Sequence, residues 1–288
     1  MEKFPLHSIL TAAGLASSLN FPVALDIPAA LQEYAAGRIR LDPLPSAATR
    51  SDSSDRDPHP NDLQFIGAGS QLIAVQPVRG PIVSGISPDA EEWYGLFNLD
   101  RIHSTARAVA ANPAISALVL LMDTPGGSVL GLRSAADALM ALPVQRPGVA
   151  VVSYTQRLSA SAGMYLAAAT QAFHAAPGAY IGSIGTVATL SDSSGFWAKL
   201  GVDRRVYTAD STLKGMGMGP ITAEQDAHMQ ATVQQYSDEF KGWMSDRRGL
   251  APAAMQGQAW EARLAPPGMA DSTSIPTFEE FLAAMLGL

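Results

Sequence analysis

The chain has 288 residues, of which 47% are hydrophobic and 16% are charged, so it can fold around a large core and is not disordered throughout. A formal net charge of −7, with no basic stripe, argues against binding to nucleic acid or to an anionic membrane. The absence of cysteine excludes disulfides, thiolate nucleophiles and cysteine-based metal sites.

Three regions are expected along the chain. Residues 1–44 are interpreted as an N-terminal extension, in which polar residues interrupt any apolar core of a signal peptide. No window reaches the roughly 18 apolar residues that a membrane span requires, so we expect a cytoplasmic protein without a stable membrane anchor. Residues 45–68, rich in Ser, Asp, Pro and Arg, are predicted to be a flexible linker, and residues 69–288 a folded domain.

Within that domain, strand-like and helix-like patterns alternate, which predicts an α/β fold with a mainly parallel sheet. The apolar run from Ile115 to Asp123 is typical of a strand buried on both faces. Further strands are predicted at 72–83, 147–154 and 172–177 and after residue 185, and helices at 99–111, 128–142, 161–170 and 222–248.

Loops rich in glycine and serine follow three of these strands, where open α/β sheets bind their ligands. Asp123–Gly127 ends in a glycine pair whose N–H groups can stabilise an oxyanion, although glycines at such turns often serve geometry alone. Ser161 precedes an alanine-rich helix, where it is either an N-cap or a nucleophile favoured by the helix dipole. The third loop is Gly182–Gly185, and its Ser183 could be merely a turn residue.

The motifs DTPGG, SASAGMYLAAA and YIGSIGT, in this order and spacing, resemble the signal peptide peptidase A family of serine proteases. The resemblance extends from about Gln71 to Leu288 and implies a Clp/crotonase-like fold of repeated ββα units. It implies that Ser161 is the nucleophile and that Lys214, downstream of the third motif, is its general base. It also implies that Ser183 hydrogen-bonds the lysine. The implied oxyanion donors are the backbone N–H groups of Gly126, Gly127 and Ala162.

A serine–lysine pair needs a base that is neutral near pH 7, whereas an ordinary lysine has a pKa near 10.4. Burial in an apolar site is what lowers such a pKa. The Met-rich segment TLKGMGMGP around Lys214 predicts that burial. Histidine is a poor alternative base, because none lies at the spacing from Ser161 that Clp-type proteases use. The five histidines are His7, His59, His103, His174 and His228.

Details of the sequence resemble the phage capsid branch of the family, the lambda head protease type. The long polar linker and the use of SAG in place of SGG both point to that branch. We therefore expect a serine endopeptidase of capsid maturation that cleaves scaffold and capsid polypeptides as a homo-oligomeric ring, with no metal or cofactor. The alternative is a soluble bacterial signal peptide peptidase. Two other classes stay open: a crotonase-type acyl-CoA enzyme and an inactive scaffold component of a capsid.

Overall fold

The structure, a computed structural model, describes residues 59–68 and 71–286. The predicted extension at 1–44 and the linker up to residue 58 lie outside the described residues. The strands are β1 (Gln64–Ala68), β2 (Gln71–Arg79), β3 (Ile82–Val83), β4 (Phe97–Asn98), β5 (Ile115–Thr124), β6 (Ala150–Ala160), β7 (Ala172–Ala175), β8 (Tyr180–Gly182) and β9 (Ala259–Glu261). The α-helices are α1 (Pro88–Tyr94), α2 (Asp100–Ala111), α3 (Leu132–Gln145), α4 (Ala162–Ala168), α5 (Ser194–Lys199), α6 (Ala223–Arg248) and α7 (Phe278–Leu286). Short 3-10 helices lie at Thr212–Gly215, Pro252–Ala254 and Ala262–Leu264.

The main sheet has the strand order β1-β2-β5-β6-β8-β9, and β7 also pairs with β6. The inner pairs are parallel, whereas β1 with β2 and β8 with β9 are antiparallel. A separate small sheet consists of β3 and β4. The predicted α/β class with a mainly parallel sheet is therefore confirmed. Strand–strand–helix order occurs in β2-β3-α1 and in β7-β8-α5, as the predicted Clp/crotonase-like fold requires.

The core is centred on β5 and β6, as expected for parallel strands that are covered on both faces. Three consecutive side chains of β5, Leu118 to Leu120, are fully buried. If buried and exposed residues alternated along β5, one face of the sheet would instead be exposed to solvent. Because these strands lie in the middle of the sheet, the loops that follow them meet at one edge.

The long helix α6 begins and ends where the sequence predicts. Thr222 is its N-cap and forms a capping box with Gln225, in which each residue accepts the backbone N–H of the other. Gly249, with φ 66°, ends the helix in the left-handed conformation. No helix in the described ranges is long and apolar enough to cross a membrane.

The structure differs from the sequence prediction in two places. The end of the predicted linker is ordered, because β1 pairs with β2 and the Asn61 side chain donates to the backbone oxygens of Arg79 and Leu96 at 3.1 and 3.0 Å. The polar side chain of Asn61 makes hydrogen bonds within the fold, so a polar composition does not indicate a flexible linker here. The strand expected after residue 185 is absent from the described chain, because β9 takes the position beside β8.

Candidate active site

Ser161 lies at the sharp turn between β6 and α4. Its backbone has φ 50° and ψ −118°, a conformation that favours glycine. Ser183 has φ 55°, and of the residues that the structure describes, these two serines are the only non-glycine residues with positive φ. Strain of this kind costs about 1–3 kcal/mol per residue and concentrates at functional sites. The backbone thus singles out the same two serines as the sequence motifs.

Strand pairing brings Ser161 and Ser183 together. In the parallel pair β6 and β8, Ala160 lies opposite Gly182, so each serine directly follows a paired residue. The Ser161 N–H donates to the Gly182 oxygen at 2.9 Å, and the Ser183 N–H donates to the Gln258 oxygen. Because these bonds hold both turns, both serines line one pocket.

The glycine loop packs directly against the Ser161 turn. A Cβ on Gly126 would lie 2.6 Å from the Ser161 Cβ, and a Cβ on Gly127 would lie 2.0 Å from the Ile82 oxygen. Only glycine fits at either position. The Gly126 N–H already donates to Thr124 Oγ1 at 3.1 Å. Gly126 therefore contributes close packing here and is not the free oxyanion donor that the sequence predicts.

A pocket of about 310 Å³ opens beside Ser161, and two predicted oxyanion donors, Gly127 and Ala162, line it. One wall is Tyr165, whose ring stacks on Trp243 with centroids 4.8 Å apart. Burial raises the pKa of Tyr165, so its hydroxyl stays neutral near pH 7. Other lining residues include the apolar Pro125, Val129, Leu132, Val187 and Phe240 and the charged Arg133 and Glu239. A pocket with such walls suits an apolar side chain near the reacting serine.

Lys214 is not among the described residues that line this pocket. It lies in the 3-10 helix Thr212–Gly215 and is exposed, so the predicted burial is not found within a single copy of the chain. The turn is nevertheless anchored to the start of α6. Gln225 Nε2 donates to the Thr212 oxygen at 2.6 Å, and the Thr212 hydroxyl lies 2.9 Å from that of Thr222. Lys214 is therefore held at a defined surface position.

Two residues of the site carry only weak signals in the sequence. Thr124 belongs to the DTPGG motif, but nothing in the motif reveals that its hydroxyl bonds the glycine loop. Tyr165 follows Ser161 by one helical turn, and this spacing is the only indication that it faces the pocket. Within residues 59–68 and 71–286, no group of three or more metal-binding side chains could hold a metal ion.

Residues 144–265 match the model of Peptidase family S49. The chain is 28% identical over 189 residues to the head-tail preconnector protein GP5 of Enterobacteria phage P21, an alignment that covers 64% of this chain and 36% of that protein. It is 30% identical over 180 residues to capsid assembly protease C of Escherichia phage lambda, with 62% and 40% covered. The chain thus spans less than half the length of these curated relatives.

Among solved structures, a crystal structure of an enoyl-CoA hydratase/isomerase family member superposes with a TM-score of 0.44 at 15% identity, covering 78% of this chain and 75% of that chain. The segment that matches the family model contains Ser161, Ser183 and Lys214. The resemblance predicted from the motifs is confirmed by the family model, which matches residues 144–265, and by the similarity of the chain to the two phage proteins.

Proposed function

We propose that this chain is a serine endopeptidase that cleaves polypeptides during phage capsid maturation. The observation that carries the proposal is the pair of strained serines, Ser161 and Ser183, beside the glycine loop in one pocket. An ordinary N-cap serine adopts an extended backbone, whereas Ser161 does not. Ser161 instead lines the pocket directly before α4, where a nucleophile could meet a bound substrate.

The proposed reaction is acyl transfer. Ser161 Oγ attacks the carbonyl carbon of the scissile peptide while the amine of Lys214 takes the hydroxyl proton. The negative charge that develops on the carbonyl oxygen is stabilised by the N–H groups of Gly127 and Ala162 and by the N-terminus of α4. Lys214 returns the proton to the leaving amine, and water then hydrolyses the acyl-enzyme. Ser183 orients the lysine.

We propose further that Lys214 reaches Ser161 from a neighbouring copy of the chain. Two observations support this arrangement: Lys214 is exposed, and it is not part of the described lining of the pocket. The surrounding segment also exposes large apolar side chains, as an interface between copies would. Among them are Val187, Leu200, Val202, Val206, Tyr207 and Met218. We propose that repeated head-to-tail contacts of this type close into a ring, in which every Ser161 receives a lysine.

The proposed substrates are scaffold and capsid polypeptides, within the host cytoplasm or the assembling prohead. The names of the two phage relatives, a head-tail preconnector protein and a capsid assembly protease, support this choice. Because the chain spans only part of each relative, we do not assign the full activity of either relative to this chain. The alternative, a bacterial signal peptide peptidase, is not favoured by either relative.

A fluorophosphonate probe tests the proposal directly, because it labels a serine that is activated for acyl transfer. Wild-type chain should be labelled and should cleave co-expressed capsid proteins, whereas Ser161→Ala should do neither. The matched control is Ser193→Ala, an exposed serine outside the pocket, which should behave as wild type. Labelling of the Ser161→Ala variant, or no labelling of any variant, would reject the assignment.

A further inference from the structure

Thr124 connects three backbone segments around the candidate active site. It is the last residue of β5 and is fully buried. Its hydroxyl donates to the Gly80 oxygen at 2.7 Å and accepts the Gly126 N–H at 3.1 Å. Both hydrogen-bonding functions of the hydroxyl are therefore used, one on the turn between β2 and β3 and one on the glycine loop.

The methyl group of Thr124 contacts the third segment, which is the start of α4. A Cβ on Gly163 would lie 2.7 Å from Thr124 Cγ2, so the methyl packs against the first turn of α4. Gly163 is two residues beyond Ser161. The two ends of one side chain therefore set the spacing between the glycine loop and the helix that carries the serine.

The glycine loop has one further set of restraints, which come from β3. The Ile82 N–H donates to the Gly126 oxygen at 2.7 Å, and the Ser128 N–H donates to the Ile82 oxygen at 2.8 Å. One of these bonds holds the Gly126 oxygen and the other holds the Ser128 N–H, whereas Thr124 holds the Gly126 N–H. The Gly127 N–H lies between the held atoms of Gly126 and the held N–H of Ser128, so its direction depends on all three hydrogen bonds.

We propose that Thr124 is a positioning residue, which aims the Gly127 N–H at the oxyanion through its bond to Gly126. This inference rests on the proposed peptidase function. Oxyanion donors act over about 2.7–3.1 Å from the developing charge, so a small movement of the loop weakens them. The ground-state substrate depends much less on this distance, so the loss should appear in kcat rather than in KM.

The test compares Thr124→Val, Thr124→Ser and Thr124→Ala in the full chain, with a peptide substrate and the fluorophosphonate probe. Val keeps the size and the methyl but removes the hydroxyl, so kcat should fall about 10- to 100-fold, as for a misplaced catalytic group, with KM within about twofold. Ser keeps the hydroxyl without the methyl and should retain most of the wild-type kcat. Ala, which lacks both, should resemble Val.

Thr155→Val is the matched control for lost stability. Thr155 is also fully buried, and its hydroxyl donates to the Met122 oxygen at 2.9 Å, away from the glycine loop. This control should lower the melting temperature without lowering kcat. Equal kcat values for Thr124→Ser and Thr124→Ala, or an unchanged kcat in folded Thr124→Val, would overturn the inference. A wild-type chain that neither cleaves peptide nor reacts with the probe would instead reject the peptidase function itself.

Discussion

Gly126 packs against the Cβ of Ser161 so closely that its α-carbon has room for no substituent larger than hydrogen. We expect Gly126→Ala to push the glycine loop away from Ser161 and to strain a residue whose φ is +100°. The free energy of unfolding should fall by about 1–3 kcal/mol, and probe labelling of Ser161 should be lost. Urea denaturation and labelling rates measure the two effects.

The Gly148→Ala variant separates the effect of backbone strain from the effect of the close contact at Gly126. Gly148 has φ +94°, but a Cβ there would meet nothing within 4 Å. Its alanine variant should therefore lose stability through backbone strain and still be labelled. Equal labelling of the two alanine variants would show that contact at Gly126 is unimportant.

Complementation between two inactive variants tests whether the active site is shared between copies. Ser161→Ala and Lys214→Ala should each lack activity, because each removes one member of the pair. When mixed copies reassemble at random, about a quarter of head-to-tail contacts join an intact serine to an intact lysine, so that share of activity should return. Peptide cleavage after mixing measures it.

The control mixture combines Ser161→Ala with a variant that lacks both Ser161 and Lys214, and it should stay inactive. If the two single variants co-assemble, as seen by native mass spectrometry, and no activity returns, then the dyad is not shared between copies.

The buried amide of Gln225 links α6 to the turn that carries Lys214. Gln225→Met should leave the Thr212 oxygen and the Thr222 N–H without their partner, at a cost of about 1–3 kcal/mol in unfolding free energy. Because the turn loosens, kcat should fall as well. Gln234→Met, on the exposed face of the same helix, should change neither quantity, and an unchanged kcat in the Gln225 variant would argue against the anchoring role.

His174 should make stability depend on pH. Burial lowers the pKa of His174 below its ordinary 6.5; Asp271 opposes this effect and Arg248 adds to it. The unfolded chain therefore binds the proton more readily than the folded chain does. The stability that His174 contributes is complete above its ordinary pKa and is lost as pH falls through the lowered one, at no more than about 1.4 kcal/mol per pH unit.

Melting temperatures between pH 7 and pH 5 measure this effect. His174 lies 5.3 Å from the Phe281 ring between centroids, so its protonation would weaken the docking of α7. His174→Gln should flatten the pH dependence, while the variant of exposed His228, His228→Gln, should keep it. A wild-type melting temperature that is constant across this range would contradict the prediction.

The turn at Ser161 could be predicted because its signals are local. Ser161 stands between an apolar strand and an alanine-rich helix, and small residues surround it. The bounds of α6 could also be predicted from the sequence, since Thr222 and Gly249 are strong signals for the start and the end of a helix. The α/β class follows from the same local alternation of strands and helices.

Features that depend on distant partners could not be predicted. The composition around Asn61 indicates a linker, yet its amide bonds backbone oxygens near residues 79 and 96. The segment after Gly185 reads as a strand, but β9 occupies the neighbouring position in the sheet. The Met-rich sequence around Lys214 indicates burial, which the fold of one copy does not supply.

The pairing of β9 with β8 has a consequence for protein synthesis. The Ser183 N–H reaches its acceptor only on Gln258, next to β9. A ribosome adds about 5–20 residues per second from the N-terminus, so a growing chain carries Ser161 for seconds before Gln258 emerges. During that interval the Ser183 turn has no acceptor to hold it. The turn that holds Ser183 in the pocket is therefore completed only when the segment next to β9 has been synthesised.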